Sequence, residues 1–167
     1  MDFKIKNRHR LKKKEIRELI DKLKGDFKSN LFDVNSVIEI GFYKNTQFIF
    51  IDYKPYFMFY ENRIVYTICG LYKYRPNNKY VVVDMGAVEF VVKGADVMSP
   101  GIVDADKNIQ IDDIVWICDE KNRKPLALGF ALISGKEMIK KEKGKAVAIF
   151  HHIGDYLWDL IKSDCIK

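Results

Sequence analysis

The fold of the second half of the chain is decided by the stretch VVDMGAVEFVVKGADVMSPGI at residues 82–102. An apolar strand leads into a short helix, and a glycine-containing loop then leads to a second strand. Asp84 is placed to cap the helix, and Gly94 can adopt the left-handed conformation that ends it. Pro100 and Gly101 favour a turn. The pattern is unlike a catalytic site and predicts a surface that suits an extended ligand.

The composition is that of a globular protein with a basic excess. The 167 residues are 48% hydrophobic and 31% charged, enough for one domain with a full core or for two small domains. The 11 Phe and 9 Tyr residues argue against disorder. The formal net charge of +6 favours a polyanionic partner. Charge alone leaves a merely soluble basic protein equally open.

Cysteine usage and hydropathy indicate where the protein works. The chain contains three cysteines, Cys69, Cys118 and Cys165. They are too few and too scattered for a disulfide framework or a Cys-x-x-Cys zinc site, which favours a reducing cytoplasm. The most apolar run, residues 48–60, is too short to span a bilayer, and the N-terminus lacks the apolar core of a signal peptide. We expect a soluble, cytoplasmic protein with no membrane partner.

The first part of the chain is a basic segment followed by an amphipathic helix. The segment contains Lys4, Lys6, Arg8, His9, Arg10, Lys12, Lys13 and Lys14. The apolar residues that follow at spacings of three and four are Ile16, Leu19, Ile20, Leu23 and Phe27. Gly25 is the predicted stop near the end of the helix. Two interpretations of the basic residues stay open: a solvated helix face with a frayed arm, or direct contact with nucleic acid or the ribosome.

Residues 34–69 change to a period of two, which predicts antiparallel hairpins. Apolar and aromatic runs occupy residues 37–43, 47–51, 56–60 and 64–68. Their aromatic residues include Phe42, Phe48, Phe50, Tyr56, Phe57, Phe59 and Tyr60. We predict that these rings fill a small core, with stacking on bases as the alternative. This half is therefore predicted to be a helix packed on a small sheet.

A basic and aromatic connector at residues 71–79 separates the two halves of the chain. It ends with the turn signal Pro76-Asn77-Asn78. We place the domain boundary there, with a first domain at residues 1–78 and a second at residues 79–167.

The second domain is predicted to contain many short strands and two small helices. Besides the opening stretch, strands are predicted near residues 109–111 and at 114–118, 126–133 and 146–152. Gly129 lies inside one of them, where glycine marks a bulge or a close backbone approach. Ser134 and Glu137 form a capping box for the second helix. The fold class is thus α+β and mainly β, with a helix-plus-antiparallel-sheet domain followed by a partly closed β-barrel.

Residues 80–160 resemble a PUA domain, a small pseudo-barrel found in pseudouridine synthases, archaeosine transglycosylases and several translation-associated proteins. The matching pieces are VDMGA at 83–87, KGADVMSPGI at 93–102, LGFA at 128–131 and GK at 144–145. The layout of the whole chain is similar to that of the malignant T-cell amplified sequence protein family and its yeast and archaeal relatives. In that family a pre-PUA domain of helix and sheet precedes the barrel, and an aromatic tail such as Asp155-Tyr156-Leu157-Trp158 ends the chain.

The resemblance implies an RNA-binding groove formed by the first helix of the barrel, the loop that follows it and the last strand. Carried over residue by residue, its RNA-binding residues would be Lys93, Gly94, Ala95, Asp96, Val97, Met98, His151 and His152. In some relatives this groove holds the end of a tRNA acceptor stem. Eukaryotic relatives act on the small ribosomal subunit with a partner that contains an initiation-factor-like domain. The implied partners are therefore RNA, either tRNA or rRNA, the small ribosomal subunit and an initiation-factor-like protein.

The residue types of the loop are consistent with contact to RNA. Glycine and alanine let a nucleotide approach the backbone closely, and Val97 and Met98 can offer an apolar platform to an unstacked base. Lys93 supplies a positive charge nearby. The alternative is purely structural, with Gly94 as a helix stop, Met98 in the core and Lys93 solvated.

The sequence contains no recognisable catalytic motif. A Gly-x-x-x-x-Gly-Lys phosphate loop, a His-Glu-x-x-His motif and a Gly-x-Ser-x-Gly elbow are all missing. His151 and His152 are adjacent on a strand and so point to opposite faces, which prevents both from reaching one metal ion. Cys118 is predicted to lie in the core. Four acidic residues are predicted to be solvated turn residues, Asp104, Asp106, Asp112 and Asp113. We therefore predict neither enzyme activity nor a cofactor or metal.

The sequence as a whole predicts a non-catalytic RNA-binding protein associated with translation. It would bind structured RNA, such as a tRNA acceptor end or the small ribosomal subunit, through the PUA groove. The alternative is an accessory subunit of a translation or RNA-modification complex that docks protein through the aromatics of the first domain and the tail at residues 155–160. An RNA-modifying enzyme is disfavoured because the first domain is small and lacks a catalytic set.

Overall fold

The computed structural model describes residues 5–24, 31–32, 35–140 and 142–166. Contacts within the chain divide it into two compact units. The first unit is Met1–Tyr74 with Ser163–Lys167, and the second is Arg75–Lys162. The predicted domains, 1–78 and 79–167, differ from these units at residues 75–78 and 163–167. The boundary after residue 78 stays a prediction.

The first unit contains a five-stranded antiparallel sheet, with the strands in chain order. The strands are β1 (Lys6–Arg10), β2 (Ile38–Tyr43), β3 (Thr46–Ile51), β4 (Lys54–Tyr60) and β5 (Arg63–Tyr66). Asp52 and Tyr53, between β3 and β4, both have positive φ. Glu61 and Asn62, between β4 and β5, do as well. Two-residue turns of this kind match the right-handed twist of the strands that they join. The predicted hairpins are confirmed.

Helix α1 (Lys13–Lys24) packs its apolar stripe against this sheet. The buried residues of the joint core are Leu11, Ile16, Leu19, Leu23, Ile38, Ile49, Ile51, Phe57 and Ile64. Spacings of three and four turn the helical members to one side, as predicted. Glu15 accepts a hydrogen bond from the backbone N–H of Lys12 at 2.8 Å, which satisfies one donor at the start of the helix. The predicted stop Gly25 and the apolar Phe27 lie outside the described residues.

Part of the basic segment forms strand β1, which differs from the frayed arm in one of the two interpretations of the sequence. Arg10 lies opposite Glu39 of β2. The Arg8 guanidinium donates two hydrogen bonds to the Glu39 carboxylate, at 3.1 and 3.2 Å, and lies 3.9 Å from the centre of the Phe50 ring. All five residues of β1 are exposed. The strand therefore lacks the alternation of apolar and polar residues from which it could have been predicted.

Helix α2 (Ile68–Tyr74) lies against β4 and begins where the sequence predicted the end of a strand. The Thr67 hydroxyl donates to the Pro55 carbonyl oxygen at 2.6 Å and accepts from the Gly70 N–H at 3.0 Å. The Thr67 hydroxyl thus serves as the acceptor for a backbone N–H at the start of the helix. This favours the beginning of α2 at this point, and β5 ends at Tyr66. A Cβ atom on Gly70 would lie 2.0 Å from the Tyr56 carbonyl oxygen, so glycine is needed for this close approach.

Aromatic side chains form part of the core of the first unit. Tyr56, Phe57, Tyr66 and Tyr74 have ring centres 5.0–5.9 Å apart. The Tyr74 hydroxyl donates to the Leu31 carbonyl oxygen at 2.9 Å. Burial raises the pKa of Tyr66 to about 12 and also raises the pKa of Tyr74. These rings are packed against each other, which favours the predicted core role over stacking on bases.

A disulfide bond joins Cys69 of α2 to Cys165 of α5 (Tyr156–Ile166). The two Cα atoms are 5.1 Å apart although 96 residues separate them in sequence. Both cysteines belong to the first unit. The sequence did not predict this bond, because two cysteines so far apart carry no local sign of pairing.

The second unit is built on a six-stranded mixed sheet that closes into a barrel-like shape. Its elements are β6 (Tyr80–Val83), α3 (Met85–Val91), β7 (Val97–Met98), β8 (Ile102–Ala105), β9 (Ile114–Asp119), β10 (Pro125–Ala131), α4 (Gly135–Ile139) and β11 (Lys145–His152). The strand order is β7-β11-β10-β9-β6-β8, and only the β6 and β9 pair is parallel. The predicted fold class is confirmed. No helix in the described ranges is long and apolar enough to cross a membrane.

Gly129 allows β10 and β11 to approach each other closely. The pairing register shifts between Leu128 and Gly129, and a Cβ on Gly129 would lie 2.5 Å from the Ala148 carbonyl oxygen. The predicted bulge or close approach is confirmed.

Residues 109–111 form a turn, so the strand predicted there is wrong. Ile109 is buried, but its neighbours have no strand partner in the described part of the chain. The Asp113 carboxylate accepts a hydrogen bond from the Gln110 N–H at 2.8 Å. The Asp106 carboxylate accepts from the N–H two residues further on, at 2.9 Å. Carboxylates thus replace a neighbouring strand as acceptors for this backbone.

Asp155 caps helix α5 and holds the end of β11. Its carboxylate accepts from the backbone N–H of Trp158 at 2.7 Å and of His152 at 2.9 Å, and lies 2.8 Å from Nδ1 of His151. Burial on its own would raise the pKa of Asp155. The hydrogen bond and charge of His151 and the two backbone N–H groups outweigh that effect, so the pKa is lowered.

Gly70→Ala is expected to destabilise the protein by about 2 kcal/mol or more, because the added methyl group would collide with the Tyr56 carbonyl oxygen. The urea midpoint of unfolding measures the effect. Gly86→Ala is the control, since its Cβ would meet only the Asp84 carboxyl group, at 3.4 Å. That helical substitution should be neutral or stabilising by up to about 1 kcal/mol. Equal midpoints for Gly70→Ala and the wild type would contradict the close approach.

Asp155→Asn is expected to lower the free energy of unfolding at pH 7 by about 1–3 kcal/mol, because a charge and acceptors are lost at a partly buried cap. The folded-state pKa lies below the ordinary value of 3.8, so this stabilisation is present above about pH 4 and is lost as the pH falls through the folded-state pKa. The gap between variant and wild type should therefore close in acid.

Urea unfolding between about pH 2.5 and 7 measures this gap. Asp159→Asn is the matched control on the same helix, because its exposed carboxylate forms a surface ion pair with Lys162, at 3.0 Å. That change should cost less than about 0.5 kcal/mol. A gap for Asp155→Asn that is independent of pH would contradict the role of the charge.

Candidate nucleic-acid interface

An open groove of about 550 Å³ lies along α3, the loop after it and the start of β11. It is lined by Asp84, Gly86, Ala87, Phe90, Val91, Ala95, Asp96, Val97, Met98, Pro100, Gly101 and Lys145. All of these residues belong to the second unit. Most of the lining is apolar or small, which gives the groove a different character from the basic segment of the first unit.

Asp84 fixes the first end of the groove. Its side chain accepts a hydrogen bond from the Ala87 N–H at 2.8 Å, which is the predicted cap of α3. Its backbone N–H donates to the Gly101 carbonyl oxygen at 2.9 Å, which links the start of α3 to the turn before β8. A Cβ on Gly101 would lie 3.1 Å from the Ala87 Cβ. The helix and the turn therefore approach closely at this end.

Gly94 ends α3 and directs the chain back along the groove. Its φ of 88° is in the left-handed region that favours glycine, as predicted. Its N–H donates to the Val91 carbonyl oxygen at 2.9 Å, and the Ala95 N–H donates to the Phe90 carbonyl oxygen at 3.0 Å. These bonds satisfy carbonyl groups at the end of the helix.

Two large apolar side chains of the lining are exposed to solvent. Phe90 of α3 is 63% exposed and Met98 of β7 is 48% exposed. Val97, predicted as part of an apolar platform, is instead buried in the barrel core. Successive residues of a strand point to opposite faces, so Met98 faces outward. The platform that the groove offers is therefore Met98 and Phe90.

The carboxylates of the lining are engaged by the protein itself. Asp96 accepts a hydrogen bond from the Ile149 N–H at 3.0 Å and forms an ion pair with the Lys145 ammonium group at 3.2 Å. The Asp84 carboxylate accepts the capping hydrogen bond from the Ala87 N–H. Lys145 remains largely exposed in the wall of the groove. An anion in the groove would therefore meet the Lys145 ammonium group. The Asp84 and Asp96 carboxylates beside it already accept hydrogen bonds from the protein.

The predicted RNA-binding residues fall into two sets. The groove brings together Ala95, Asp96, Val97 and Met98. Lys93 lies outside this lining, 71% exposed, with its ammonium group 3.4 Å from the Glu89 carboxylate. Gly94 packs beside the His152 ring, since a Cβ there would lie 2.8 Å from its Nε2.

The two histidines occupy different environments, in agreement with the predicted alternation along the strand. His151 is fully buried and bound to Asp155. His152 is partly exposed, and its Nδ1 lies 2.8 Å from the Ile153 carbonyl oxygen. Neither lines the groove. Among the described residues, no group of three or more His, Cys, Asp or Glu side chains is placed to hold a metal ion.

The remaining candidates for chemistry have structural roles. Asp106 and Asp113 hold the turn at residues 109–111, and Asp113 also pairs with Lys79. Cys118 is fully buried, and burial raises its pKa to about 11. A thiol in this state is a poor nucleophile at neutral pH.

Sequence reasoning did not identify Phe90 and Lys145 as groove residues. A signal for Phe90 was present, because Ala87 and Phe90 are three residues apart and so lie on the same side of a helix. Lys145 is 44 or more residues away in sequence from every other lining residue. It comes close to them because β11 pairs with β7, where Lys145 lies opposite Met98. Only the fold brings it to the groove.

Two family models match the chain. One, described as PUA domain, matches residues 79–153, and the other, Domain of unknown function (DUF1947), matches residues 7–74. The uncharacterised protein MJ1432 of Methanocaldococcus jannaschii is 37% identical over 159 residues, which is 94% of this chain and 98% of that protein. Translation machinery-associated protein 20 of Schizosaccharomyces pombe is 32% identical over 63% of this chain. The match spans only 60% of that yeast protein.

A solved structure has the same architecture. The crystal structure of the hypothetical protein PH0734.1 from Pyrococcus horikoshii matches with a TM-score of 0.82 and 38% identity, over 92% of this chain and 99% of that one. The resemblance to standalone PUA proteins is therefore confirmed over nearly the whole length. The chain belongs to the family of two-part PUA-domain proteins that includes MJ1432.

Proposed function

We propose that this protein is a non-catalytic RNA-binding protein associated with translation, and that it binds RNA in the groove along α3. The observation that carries the proposal is the exposure of Phe90 and Met98 in an otherwise small-residue groove. Its PUA domain and its relationship to a translation machinery-associated protein support the class of function.

Phe90 and Met98 suit an unpaired base. Sequence-specific recognition of RNA targets bases that are out of the helical stack, and these stack on aromatic side chains. An aromatic ring gives about 1–3 kcal/mol per stacked base. A thioether is polarisable and adapts to a flat surface. The groove is therefore suited to a single-stranded RNA end.

The small residues of the groove suit a close approach of the RNA. Gly86, Ala87, Ala95 and Gly101 place the protein backbone near the ligand. Lys145 offers a charge for phosphate within the wall. Lys93 lies outside it, and its exposed pair with Glu89 is weak enough for the ammonium group to exchange to a phosphate. These two lysines would position the RNA backbone, while the apolar side chains of the groove bind the base.

The RNA would be structured, with an unpaired end that enters the groove. A tRNA acceptor end or an RNA segment of the small ribosomal subunit has this form, and the resemblance drawn from the sequence points to both. The same resemblance points to an initiation-factor-like protein as a further partner. A role in binding needs no catalytic group, and the candidate nucleophile Cys118 is buried.

A protein-docking role is the second candidate, and the same exposed apolar pair favours it, because exposed apolar side chains also mark protein interfaces. A hydrophobic segment of a partner could occupy the groove in place of a base. The RNA-binding role should depend on an unpaired RNA end and on salt concentration. Docking of a hydrophobic protein segment in the groove should depend on neither.

The double variant Phe90→Ala with Met98→Ala is expected to bind intact tRNA about tenfold or more weakly than the wild type, because stacking is lost. Trimming the unpaired 3′ end from the tRNA should weaken the wild type and leave the double variant nearly unchanged. Fluorescence anisotropy titrations measure the dissociation constants. Ile111→Ala removes an exposed apolar side chain outside the groove and serves as the matched control. Equal affinity of wild type and double variant for intact tRNA would sink the groove proposal.

Lys145→Gln and Lys93→Gln are each expected to reduce the slope of log K against log salt by about one for intact tRNA, because each loses about one phosphate contact. Titrations at several salt concentrations give the slopes. Lys121→Gln, an exposed lysine in the turn after β9, is the matched control and should leave the slope unchanged. An unchanged slope for Lys93→Gln alone would remove that residue from the interface and leave the groove in place.

A further inference from the structure

The excess positive charge of the chain is concentrated in one short stretch, residues 5–24. This stretch contains nine lysines and arginines and three acidic residues. Its excess of six equals the formal net charge of +6 of the whole chain, so all other residues together are neutral. The stretch forms β1 and α1 in the first unit, whereas the groove belongs to the second.

The basic residues of this stretch form a surface at the end of a sheet. Strand β1 is an edge strand of the sheet, and β2 is its neighbour. Every residue of β1 is exposed, and so are Lys12, Lys13 and Lys14, which follow it. Only Leu11 turns inward, where it joins the core. We call the exposed cations Lys6, Arg10, Lys12, Lys13 and Lys14 the basic edge.

The cations of this stretch differ in whether a described acidic side chain pairs with them. Arg8 has a structural task, since it binds Glu39 and lies over Phe50. By contrast, within residues 5–24, 31–32, 35–140 and 142–166 no acidic side chain forms an ion pair with Arg10, Lys13 or Lys14. None of the described acidic side chains therefore competes with an external anion for these three charges.

Protection of the sheet edge does not account for all of these charges. A charged residue on an edge strand discourages pairing with another chain, and this explains cations within β1. It does not explain Lys13 and Lys14 in the first turn of α1. Cations there oppose the helix dipole, which favours negative charge at a helix N-terminus. Only Glu15 in that turn has the favourable sign.

We infer that the basic edge binds the phosphate backbone of RNA without reading its bases. Contacts to phosphate need charge and reach, which the exposed lysines and Arg10 supply, and they carry no sequence information. The choice of RNA among polyanions rests on the proposed function. The site itself goes beyond it, because it is a second surface in the other unit.

The test uses the full chain and a blunt-ended RNA duplex of about 16 base pairs, which has no single-stranded end for the groove. The triple variant Arg10→Gln, Lys13→Gln, Lys14→Gln is expected to bind the duplex at least about tenfold more weakly at low salt. Its slope of log K against log salt should fall by about two to three. The matched control is Lys121→Gln, Lys124→Gln, Lys143→Gln, which removes the same charge from exposed sites elsewhere and should retain both affinity and slope. Circular dichroism checks that both triple variants are folded.

Two further arms separate this site from the groove and from other partners. The variant Phe90→Ala with Met98→Ala should keep full affinity for the duplex, so a failed groove proposal leaves this result intact. Equal affinities and slopes for the wild type and the basic-edge variant would overturn the inference. It would also be overturned if poly-glutamate bound the wild type through these residues while the duplex did not, because the partner would then be an acidic protein.

Discussion

The geometry at the first end of the groove depends on Asp84, which acts on two elements at once. Its carboxylate caps α3 through the Ala87 N–H, and its own N–H donates to the Gly101 carbonyl oxygen. The helix and the turn before β8 are thereby held at one point. A cap is worth about 1 kcal/mol in many proteins. Here it also sets the distance between the two walls, because Ala87 and Gly101 are in contact range.

A second constraint holds the far end of the same region. Asp96 accepts from the Ile149 N–H and so ties the loop after α3 to β11. Asp155 in turn holds His151, at the end of β11, and the first turn of α5. In each case an aspartate gives its acceptors to the backbone of another element. The carboxylates near the groove are thus part of its frame, whereas Phe90, Met98 and Lys145 are exposed in its lining.

The parts of the structure that the sequence could predict are those with a local cause. The cap at Asp84, the left-handed Gly94 and the bulge at Gly129 each follow from the chemistry of one residue and its neighbours. The barrel and the pre-PUA sheet follow from alternation and from the resemblance to a known family. The groove residues at 95–98 were predicted from that resemblance, in which the loop after the first helix of the barrel lines the groove.

The parts that the sequence could not predict depend on distant partners. Strand β1 is polar throughout, and it forms because it pairs with β2 and because Arg8 binds Glu39. Lys145 reaches the groove only because β11 pairs with β7. Cys69 and Cys165 meet across 96 residues. In the turn at 109–111, the spacing of two apolar residues resembled a strand, but Asp106 and Asp113 supplied the hydrogen bonds.

The uneven distribution of charge also bears on how the molecule meets its ligand. Because residues 5–24 carry the whole net charge, the first unit generates most of the long-range electric field of the protein. Such a field raises the association rate of an oppositely charged molecule by about 10-fold or more and orients that molecule during the encounter. The effect decays over a Debye length of about 8 Å at physiological ionic strength. The nearly balanced charge around the groove adds little to this early attraction. Capture rate and residence time would then be governed by different parts of the chain, the first by the basic residues and the second by the apolar groove.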